Sequence, residues 1–364
     1  MNKKYIINGI HYDLPDLVAL CGKKIRNEKT PVWERLAYNF IQEWLSPATY
    51  IEIKTSGSTG KPKAIKLSKE LMRNSAAMTA RVFKLKKNDN VLCCLPKSFI
   101  AGKMMVVRAL ENTLNLILVK PISNPITDLE NIRIHLIAVV PSQLHTILFD
   151  FSNRDCINQV ENLLVGGGKV PDKIRNAVKD LSTKVYQTYG MTETASHVAM
   201  RALNGPDSSD NYQAIENNHF AITEDHRLII SAPQLGIKKL ETQDIVELVN
   251  PQEFKWLGRA DNIINSGGVK INPETIEERI ECLMNDYNYF VSSRPDDILG
   301  EIVILVIESH NWDDNHSADL YRNMKKILRT YEIPKKIFSV KKFIYTESHK
   351  INRITTLDQL LRQV

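Results

Sequence analysis

The sequence reads YIEIKTSGSTGKPK over residues 50–63, an alternating apolar run followed at once by a loop of glycines, hydroxyl side chains and lysines. Glycines let backbone N–H groups converge on an anion, and the hydroxyls and lysines add donors and positive charge. The spacing G-x-x-G-K, with no Ser or Thr after the lysine, excludes a Walker A loop. We predict a phosphate-binding loop between a strand and a helix that opens at Ser68. Its residues are Thr55, Ser56, Gly57, Ser58, Thr59, Gly60, Lys61 and Lys63.

Short apolar runs alternate with helical stretches from this loop to about Ala202. The predicted strands are Tyr50–Lys54, Asn90–Leu95, Asn115–Val119, Ile134–Val140, Asn162–Val165 and Lys184–Thr188. The predicted helices are Ser68–Phe83, Lys103–Glu111, Ser142–Asp150 and Asp172–Leu181. This alternation predicts an α/β fold with a mainly parallel sheet covered on both faces. The first 45 residues or so are predicted to be a helical lead-in, with the clearest helix at Pro31–Trp44.

The pattern changes twice beyond Ala202. Short strands separated by turns predict a β-rich subdomain over residues 204–260, and residues 261–364 are predicted to form a small α+β domain. A helix start is predicted at Asn272, because Asn as N-cap is followed by Pro273 and by Glu274 in the first turn. We therefore predict two domains, 1–260 and 261–364.

Further polar motifs lie at predicted strand ends. The segment Tyr189-Gly190-Met191-Thr192-Glu193 follows the strand at 184–188, and Gly166-Gly167-Gly168 follows the strand at 162–165. Open α/β sheets bind ligands at such ends. A carboxylate among hydroxyls suits a magnesium ion that keeps most of its waters and also binds substrate phosphates. Glu193 alone would otherwise be interpreted as a surface acid.

Two motifs follow in the C-terminal half. Asp244 heads a strand, and Arg259 lies fifteen residues later, so that one residue can accept from ribose hydroxyls and the other can donate to them. Taken singly, either residue would be assigned to a turn or a surface ion pair. Lys350 lies in a polar loop, and without the other motifs it would be one of many surface lysines.

Composition limits the classes of protein that need to be considered. The chain has 364 residues, a formal net charge of +6 and 43% hydrophobic residues, which excludes disordered, collagen-like and disulfide-scaffold classes. No apolar run approaches the ~20 residues that span a bilayer, and no signal-peptide pattern opens the chain, so a cytoplasmic location is expected. Residues 320–364 hold eleven lysines and arginines against three acids. Such a segment suits a polyanionic partner, although no nucleic-acid-binding motif accompanies it.

In this order the motifs resemble those of the adenylate-forming superfamily, which includes acyl- and aryl-CoA ligases, peptide-synthetase adenylation domains and luciferases. GRADNIINSGGVKINPETIE, at residues 258–277, is similar to the superfamily's domain junction. The resemblance covers about Ile51 to Arg353. Within the superfamily, LLVGGGKVP (163–171) and YQTYGMTETASH (186–197) look most like the o-succinylbenzoate–CoA ligases of menaquinone biosynthesis.

The resemblance implies a role for each matching residue. The 55–63 loop would hold the ATP β- and γ-phosphates, and Gly166–Gly168 with Tyr189–Met191 would line the adenine and acyl pocket. Thr192 would contact the α-phosphate, and Glu193 would bind magnesium. Asp244 and Arg259 would bind ribose, Asp261 would be the hinge, Gly267 and Gly268 would line the pantetheine side, and Lys350 would be the adenylation lysine. ATP, Mg²⁺ and coenzyme A are the implied cofactors and co-substrates, with a carboxylic acid as substrate and a homo-oligomer as a further possibility.

Several features depart from the superfamily pattern. Only about 50 residues precede the phosphate loop, Gln243 precedes Asp244 where glycine is common, and His349 precedes Lys350 where glycine is frequent. At the loop that shapes the acyl pocket, Lys103 is a candidate partner for a substrate carboxylate, supplemented by His197, Thr194 and Ser196. Each of these four residues is equally compatible with a structural role, Lys103 as a surface lysine at a helix start and the others in packing or capping.

Three alternatives remain open at this point. The substrate can be another aromatic or fatty acid. The acyl acceptor can be a carrier protein instead of coenzyme A. The chain can also be a catalytically inactive nucleotide-binding relative, although retention of Glu193, Asp244, Arg259 and Lys350 argues against that.

Overall fold

The structure is a computed structural model that describes residues 3–55, 63–127, 129, 132–150, 154–284, 287–346 and 351–361. The chain divides into two compact units. The first contains the described residues of 1–55, 62–219 and 230–240, and the second contains those of 220–229 and 241–364. The division at residues 260 and 261 expected from the sequence stays a prediction. None of the helices in the described ranges has the length and apolar composition that would let it cross a membrane.

The elements between residues 90 and 190 follow the predicted order of strands and helices. The strands are β1 (Tyr5–Ile7), β2 (Ile10–Tyr12), β3 (Tyr50–Thr55), β4 (Lys63–Ser68), β5 (Asn90–Cys93), β6 (Asn115–Leu118), β7 (Ile134–Val139), β8 (Val160–Val165), β9 (Lys184–Gly190), β10 (His197–Ala202) and β11 (Tyr212–Ala214). The helices are α1 (Leu14–Arg26), α2 (Val32–Leu45), α3 (Lys69–Val82), α4 (Ile100–Asn112), α5 (Pro141–Phe149), α6 (Arg154–Ile157) and α7 (Asp172–Ala177).

A nine-strand segment of sheet organises the first unit, in the order β2-β1-β6-β5-β7-β8-β9-β10-β11. The six strands from β1 to β9 within this order pair in parallel, whereas β2, β10 and β11 are antiparallel to their neighbours. Its central strands are apolar runs because helices cover both faces, and two buried clusters lie against them. The predicted α/β class is confirmed, and the carboxyl ends of β8 and β9 lie side by side.

The predicted environment of the phosphate loop is wrong in one respect. Strands β3 and β4 form a separate antiparallel hairpin, with Ile53 opposite Ile65 and Ile51 opposite Leu67, so the loop joins two strands rather than a strand and a helix. The physical reason is the period-two pattern of residues 64–67, whose apolar side chains pair with those of β3. Helix α3 follows directly, and Ser68 caps it by accepting from the Leu71 N–H.

The N-terminal segment also differs from the helical lead-in that the sequence predicted. Before the two helices, β1 and β2 form a hairpin, and β1 extends the parallel sheet by pairing with β6. Tyr5, Ile6 and Ile7 are all buried in the core. The sequence of this three-residue strand therefore shows no alternation of buried and exposed residues that could have predicted it. The predicted helix at Pro31–Trp44 is present as α2.

The remaining elements complete the chain. The strands are β12 (His219–Ile222), β13 (Arg227–Ala232), β14 (Ile237–Asn250), β15 (Glu253–Arg259), β16 (Ile264–Ser266), β17 (Val269–Ile271), β18 (Asn288–Asp296), β19 (Gly300–Glu308) and β20 (Lys336–Val340). The helices are α8 (Pro273–Ile280), α9 (Asp314–Ile327) and α10 (Arg353–Leu361).

The C-terminal part of the second unit is the predicted α+β arrangement. Five strands form a sheet in the order β17-β16-β19-β18, with β20 parallel to β19. Helix α8 begins where the sequence predicted, since the Asn272 side chain accepts from the Glu274 N–H. Gly267 and Gly268 have φ of +59° and +81° and form the two-residue turn between β16 and β17, a conformation that glycine adopts without strain.

Candidate functional site

Most of the predicted phosphate loop lies outside the described residues, namely Ser56, Gly57, Ser58, Thr59, Gly60 and Lys61. Its two ends are described, because Thr55 and Lys63 pair across the hairpin of β3 and β4. The backbone thus brings the first and last residues of the predicted loop together. The phosphate contacts of this loop stay a prediction.

The other two predicted loops of the first unit lie together at the carboxyl edge of the sheet. Gly166 directly follows β8, its N–H bonds to the Val139 carbonyl at 3.1 Å, and the Thr188 Oγ1 donates to the Val165 carbonyl at 3.3 Å. The Gln187 amide donates to the Gly168 carbonyl at 3.2 Å, so strand β9 holds the glycine turn in place. The sequence prediction that 166–168 and 189–193 share one edge agrees with this parallel pairing.

The segment after β9 makes a tight turn that reverses into β10. Gly190 is required there, since a Cβ at this position would lie 2.1 Å from the Ser196 carbonyl oxygen. The Met191 N–H donates to the buried Thr194 hydroxyl at 3.0 Å, and Ala195 closes the turn with φ of +57°. A non-glycine residue held at positive φ costs free energy, and such residues cluster at functional sites.

Glu193 is exposed at the top of this turn, whereas Thr192 is half-buried. Within the described residues the Glu193 carboxylate has no hydrogen-bond or ion-pair partner, and no group of three potential metal ligands was found. A single exposed carboxylate fits Mg²⁺, which keeps several waters and takes its other ligands from substrate phosphates. The donor set is therefore compatible with the magnesium role implied for Glu193.

Arg108, which was not among the residues predicted from the sequence, bonds to Ser196 at the end of this turn. Its guanidinium belongs to α4, is 2% exposed, and donates through Nε to the Thr79 Oγ1 at 3.2 Å and through Nη2 to the Ser196 Oγ. Its remaining contact is with the Met105 Sδ at 3.2 Å. In the described part of the chain no carboxylate pairs with it, and burial lowers its pKa to about 10. A buried cation with only neutral partners is suited to bind an anion.

A sequence signal for Arg108 does exist. It is the only charged residue in the stretch Met104–Leu110, whose seven residues are all buried. A lone arginine in the middle of an apolar helix is not explained by packing, since fully buried arginine is rare unless it is paired.

The structure places Lys103, the candidate named from the sequence, on another face of α4. Its Nζ lies 3.7 Å from the Glu43 Oε2 and 4.7 Å from the centroid of the Phe40 ring, both on α2. Burial lowers the Lys103 pKa, and the Glu43 carboxylate opposes that shift. Because Lys103 has an internal carboxylate partner, its role toward a substrate stays a prediction that the geometry favours less than the same role for Arg108.

His197 is buried beside Arg108, with 4% of its surface exposed. Its Nδ1 lies 3.2 Å from the Ser196 Oγ and its Nε2 lies 3.3 Å from the Thr79 Oγ1. Burial, followed by the Arg108 charge, lowers the pKa of His197 well below its ordinary value. The imidazole is therefore neutral at physiological pH and acts as a hydrogen-bonding group rather than as a cation.

This pKa shift predicts a pH dependence of stability. An unfolded His197 takes up a proton near pH 6.5 and the folded one does not, so unfolding becomes easier as the pH falls below about 6.5. Each pH unit below that point costs up to about 1.4 kcal/mol, down to the folded pKa. We expect the free energy of unfolding in urea to fall more steeply between pH 6.5 and 5.5 in the wild type than in His197→Gln. Parallel slopes would show that His197 accepts a proton in the folded protein.

In the second unit, the register of β14 and β15 places the predicted ribose-binding pair side by side. Asp244 is directly opposite Arg259, and the Arg259 Nη1 lies 3.8 Å from the Asp244 Oδ1. The Trp256 indole donates to the same carboxylate at 3.1 Å. Arg259 also holds Asp261 in a two-point contact of 2.8 and 2.7 Å, which lowers the pKa of Asp261. The structure thus joins Asp261, which the sequence had named only as a hinge, to the predicted pair of Asp244 and Arg259.

Lys350 lies outside the described residues, and the structure shows how the chain is held on both sides of it. Tyr345 pairs with Ile351, and the Asn352 N–H donates to the Ile344 carbonyl at 2.7 Å. Arg353 then donates to the buried Glu277 carboxylate at 2.9 Å. The described residues on the two sides of Lys350 are therefore paired with each other, and Arg353 is bonded to α8.

The amino-acid sequence is similar to those of AMP-binding enzymes and of a CoA ligase. The sequence profile described as AMP-binding enzyme matches residues 27–225. The chain is 30% identical over 336 residues to the 2-succinylbenzoate–CoA ligase of Listeria monocytogenes serotype 4b, which covers 86% of this chain and 70% of that protein.

Solved structures give a similar result. A crystal structure of an acyl-CoA synthetase (AMP-forming)/AMP-acid ligase II-like protein from Dyadobacter fermentans is 35% identical, with a TM-score of 0.62 over 94% of this chain and 98% of that one. The o-succinylbenzoate coenzyme A synthetase of Bacillus subtilis, bound to ATP and magnesium, has a TM-score of 0.71 over 84% of this chain and 69% of its own. At 23% identity, the latter likeness concerns the fold alone.

Proposed function

Because the chain belongs to the family of AMP-binding enzymes, we propose that it is an ATP-dependent acid–thiol ligase that forms an acyl-adenylate and then an acyl-CoA. In the first step a substrate carboxylate attacks the ATP α-phosphate and pyrophosphate leaves. In the second step the thiol of coenzyme A attacks the acyl carbonyl and AMP leaves. The proposed acid is o-succinylbenzoate, the acid named for the relative from Listeria monocytogenes.

The buried Arg108 guanidinium is the observation that carries the choice of substrate. An o-succinylbenzoate molecule has two carboxylates, and the aliphatic one is activated, so the aromatic one needs a cationic partner. Arg108 offers a charge without a carboxylate partner in the described residues, and it lies directly below the turn that carries Glu193. A planar guanidinium can bind a carboxylate through two parallel hydrogen bonds, which gives both affinity and orientation.

The remaining residues receive roles in this proposal. Backbone N–H groups and lysines of the 55–63 loop bind the β- and γ-phosphates, and Thr192 contacts the α-phosphate. Glu193 would hold a magnesium ion, which neutralises phosphate charge when bound. Asp244 and Arg259 bind the ribose, Gly267 and Gly268 line the path of the pantetheine arm, and Lys350 stabilises the charge that develops at the α-phosphate.

The basic C-terminal segment supports coenzyme A as the acceptor. Exposed lysines at the start of β20 and just after it, Lys335, Lys336, Lys341 and Lys342, have no acidic partner within the described residues. A surface of this kind attracts the phosphates of coenzyme A by long-range electrostatics. Cytoplasmic location and assembly into a homo-oligomer are further parts of the proposal.

The test is pyrophosphate release by the purified protein across a panel of carboxylic acids, with and without coenzyme A. We expect o-succinylbenzoate to give the highest turnover, with acyl-CoA and AMP as products when coenzyme A is present. Turnover of a different acid would change the substrate and keep the ligase chemistry. A chain that releases no pyrophosphate with any acid would be an inactive nucleotide-binding relative.

Glu193→Gln is expected to raise the magnesium concentration needed for half-maximal adenylation by about tenfold, because a neutral amide binds the cation less well than a carboxylate. Magnesium titrations of pyrophosphate release in the wild type and the variant measure this. Glu224→Gln is a matched control, since Glu224 is also an exposed acid in a turn. Superimposable curves for Glu193→Gln and the wild type would assign Glu193 a purely structural role.

A further inference from the structure

Three neutral hydrogen-bonding residues from two segments of the first unit lie around Arg108. Thr79 lies on α3, and Ser196 and His197 lie at the end of the turn after β9. Thr79 and His197 are buried, and Ser196 is half-buried. We define these three residues as the neutral frame of Arg108.

The direction of every hydrogen bond in the frame follows from proton counting. A guanidinium can only donate, so Thr79 and Ser196 both accept from Arg108. The Thr79 hydroxyl donates to the Ser75 carbonyl at 3.0 Å, which leaves only its lone pairs for His197. The His197 Nε2 must therefore carry the proton and donate to Thr79 at 3.3 Å. Its Nδ1 then accepts from the Ser196 hydroxyl at 3.2 Å.

This arrangement leaves part of the guanidinium unused. Of the five N–H groups of arginine, one on Nε and one on Nη2 bond to frame hydroxyls, and one on Nη1 meets only the weak acceptor Met105 Sδ. One N–H on each terminal nitrogen is free of a partner in the part of the chain that is described. These two N–H groups, on neighbouring nitrogens, are donors that the two oxygens of a carboxylate can accept.

We propose that Thr79, Ser196 and His197 are positioning residues that hold the Arg108 guanidinium by neutral dipoles and so reserve its charge for the second carboxylate of the substrate. This inference rests on the proposed function. The frame hydroxyls direct oxygen lone pairs at the cation and stabilise it without neutralising it. A carboxylate in the same position would neutralise Arg108, and the substrate carboxylate would then lose most of its attraction. The frame thus determines selectivity for dicarboxylic over monocarboxylic acids.

A pair of variants at Ser196 separates charge from shape. Ser196→Asp places a carboxylate beside Arg108, and Ser196→Asn places a neutral group of nearly the same size there. The readout is the ratio of kcat/KM for o-succinylbenzoate to that for 4-oxo-4-phenylbutanoate, which lacks the ring carboxylate. We expect Ser196→Asp to lower this ratio by about tenfold or more relative to Ser196→Asn. Equal ratios in the two variants would overturn the proposal.

The role of His197 is tested by the same ratio. His197→Leu removes both hydrogen bonds and is expected to lower the ratio by about fivefold to tenfold, with little change for the monocarboxylate. His197→Gln keeps one donor and one acceptor and should recover most of the ratio. If His197→Leu lowers kcat/KM for both acids equally, the residue supports the fold alone and the proposal fails.

The tautomer of His197 can be measured by NMR without any enzymatic assay of a variant. In ¹⁵N-labelled wild-type protein, the imidazole signals of His197, assigned by their loss in His197→Gln, should show the Nε2–H tautomer from pH 6 to 8. A Nδ1–H tautomer or an imidazolium would overturn the proposal. Failure of the proposed function is recognised separately, because wild type would then not prefer o-succinylbenzoate over 4-oxo-4-phenylbutanoate. If wild type shows that preference and Arg108→Met loses it while both frame tests fail, only the present inference is wrong.

Discussion

Lys350→Ala is expected to lower the rate of acyl-adenylate formation by at least about a hundredfold, which corresponds to about 3 kcal/mol of transition-state stabilisation. The reason is that negative charge shifts onto the phosphate oxygens as the carboxylate attacks and pyrophosphate leaves, and a lysine ammonium stabilises that charge. Single-turnover release of pyrophosphate measures the loss. Transfer of the acyl group to coenzyme A from a supplied acyl-adenylate should stay close to the wild-type rate.

The matched control for this prediction is Lys342→Ala. Lys342 is an exposed lysine of the same basic segment, eight positions earlier, so its removal changes the net charge by the same amount. We expect its adenylation rate to stay within about twofold of wild type, since exposed charges at a distance are screened by salt. Near-normal adenylation by Lys350→Ala, or an equal loss in both variants, would contradict the assignment of the adenylation lysine.

The flanks of Lys350 explain why a substitution there should leave the fold intact. The pairing of Tyr345 with Ile351 closes the chain on either side, and the Tyr345 hydroxyl lies 3.2 Å from the Glu308 Oε2. On the far side, Arg353 donates to Glu277, which also accepts from the Val291 N–H at 2.7 Å. These contacts involve described residues on both sides of Lys350 and none of them is removed by Lys350→Ala, so we expect loss of adenylation to report on chemistry.

The parallel sheet was predictable because most side chains of its central strands are buried. Runs such as Ile134–Val139 and Val160–Val165 are mostly apolar and mostly buried, and the helices between them fix their connection. Strand β4 was missed because its alternation is short and directly precedes a helix cap at Ser68. Strand β1 was missed because three residues cannot show a period, and its pairing with β2 and β6 defines it.

The site residues also fall into two groups, those that the sequence predicted and those that only the tertiary structure revealed. Residues in contiguous motifs, such as Tyr189–Glu193, were found because the local chemistry is visible in one stretch of sequence. Asp244 and Arg259 were predicted as a pair from their chemistry, whereas their position directly opposite each other depends on the register of β14 and β15, which turn geometry sets. Arg108 depends on burial and on the absence of a carboxylate partner in the described residues, and both are properties of the tertiary structure. Lys103 was the more visible candidate because it follows Gly102 at a helix start, yet its charge is directed to Glu43.

Arg108→Met is expected to lower kcat/KM for o-succinylbenzoate by about a hundredfold, the worth of two charge-assisted hydrogen bonds of about 1.5 kcal/mol each. The monocarboxylate 4-oxo-4-phenylbutanoate should lose less than about threefold, because it has no group for the guanidinium to bind. Steady-state kinetics with both acids measure the two values. Methionine suits this position because it is flexible and apolar and can fill the space beside Met105.

The change should not cost stability, which separates a binding role from a structural one. The substitution removes the cost of burying a charge that has no carboxylate partner among the described residues, and this gain offsets the loss of its hydrogen bonds to Thr79 and Ser196. Thermal unfolding of the variant at pH 7.5 should therefore begin no earlier than in the wild type. Lys103→Met is the matched control on the same helix, and its loss should be small and equal for the two acids because Lys103 pairs with Glu43. A selective loss with Lys103→Met and none with Arg108→Met would assign the second carboxylate to Lys103 instead.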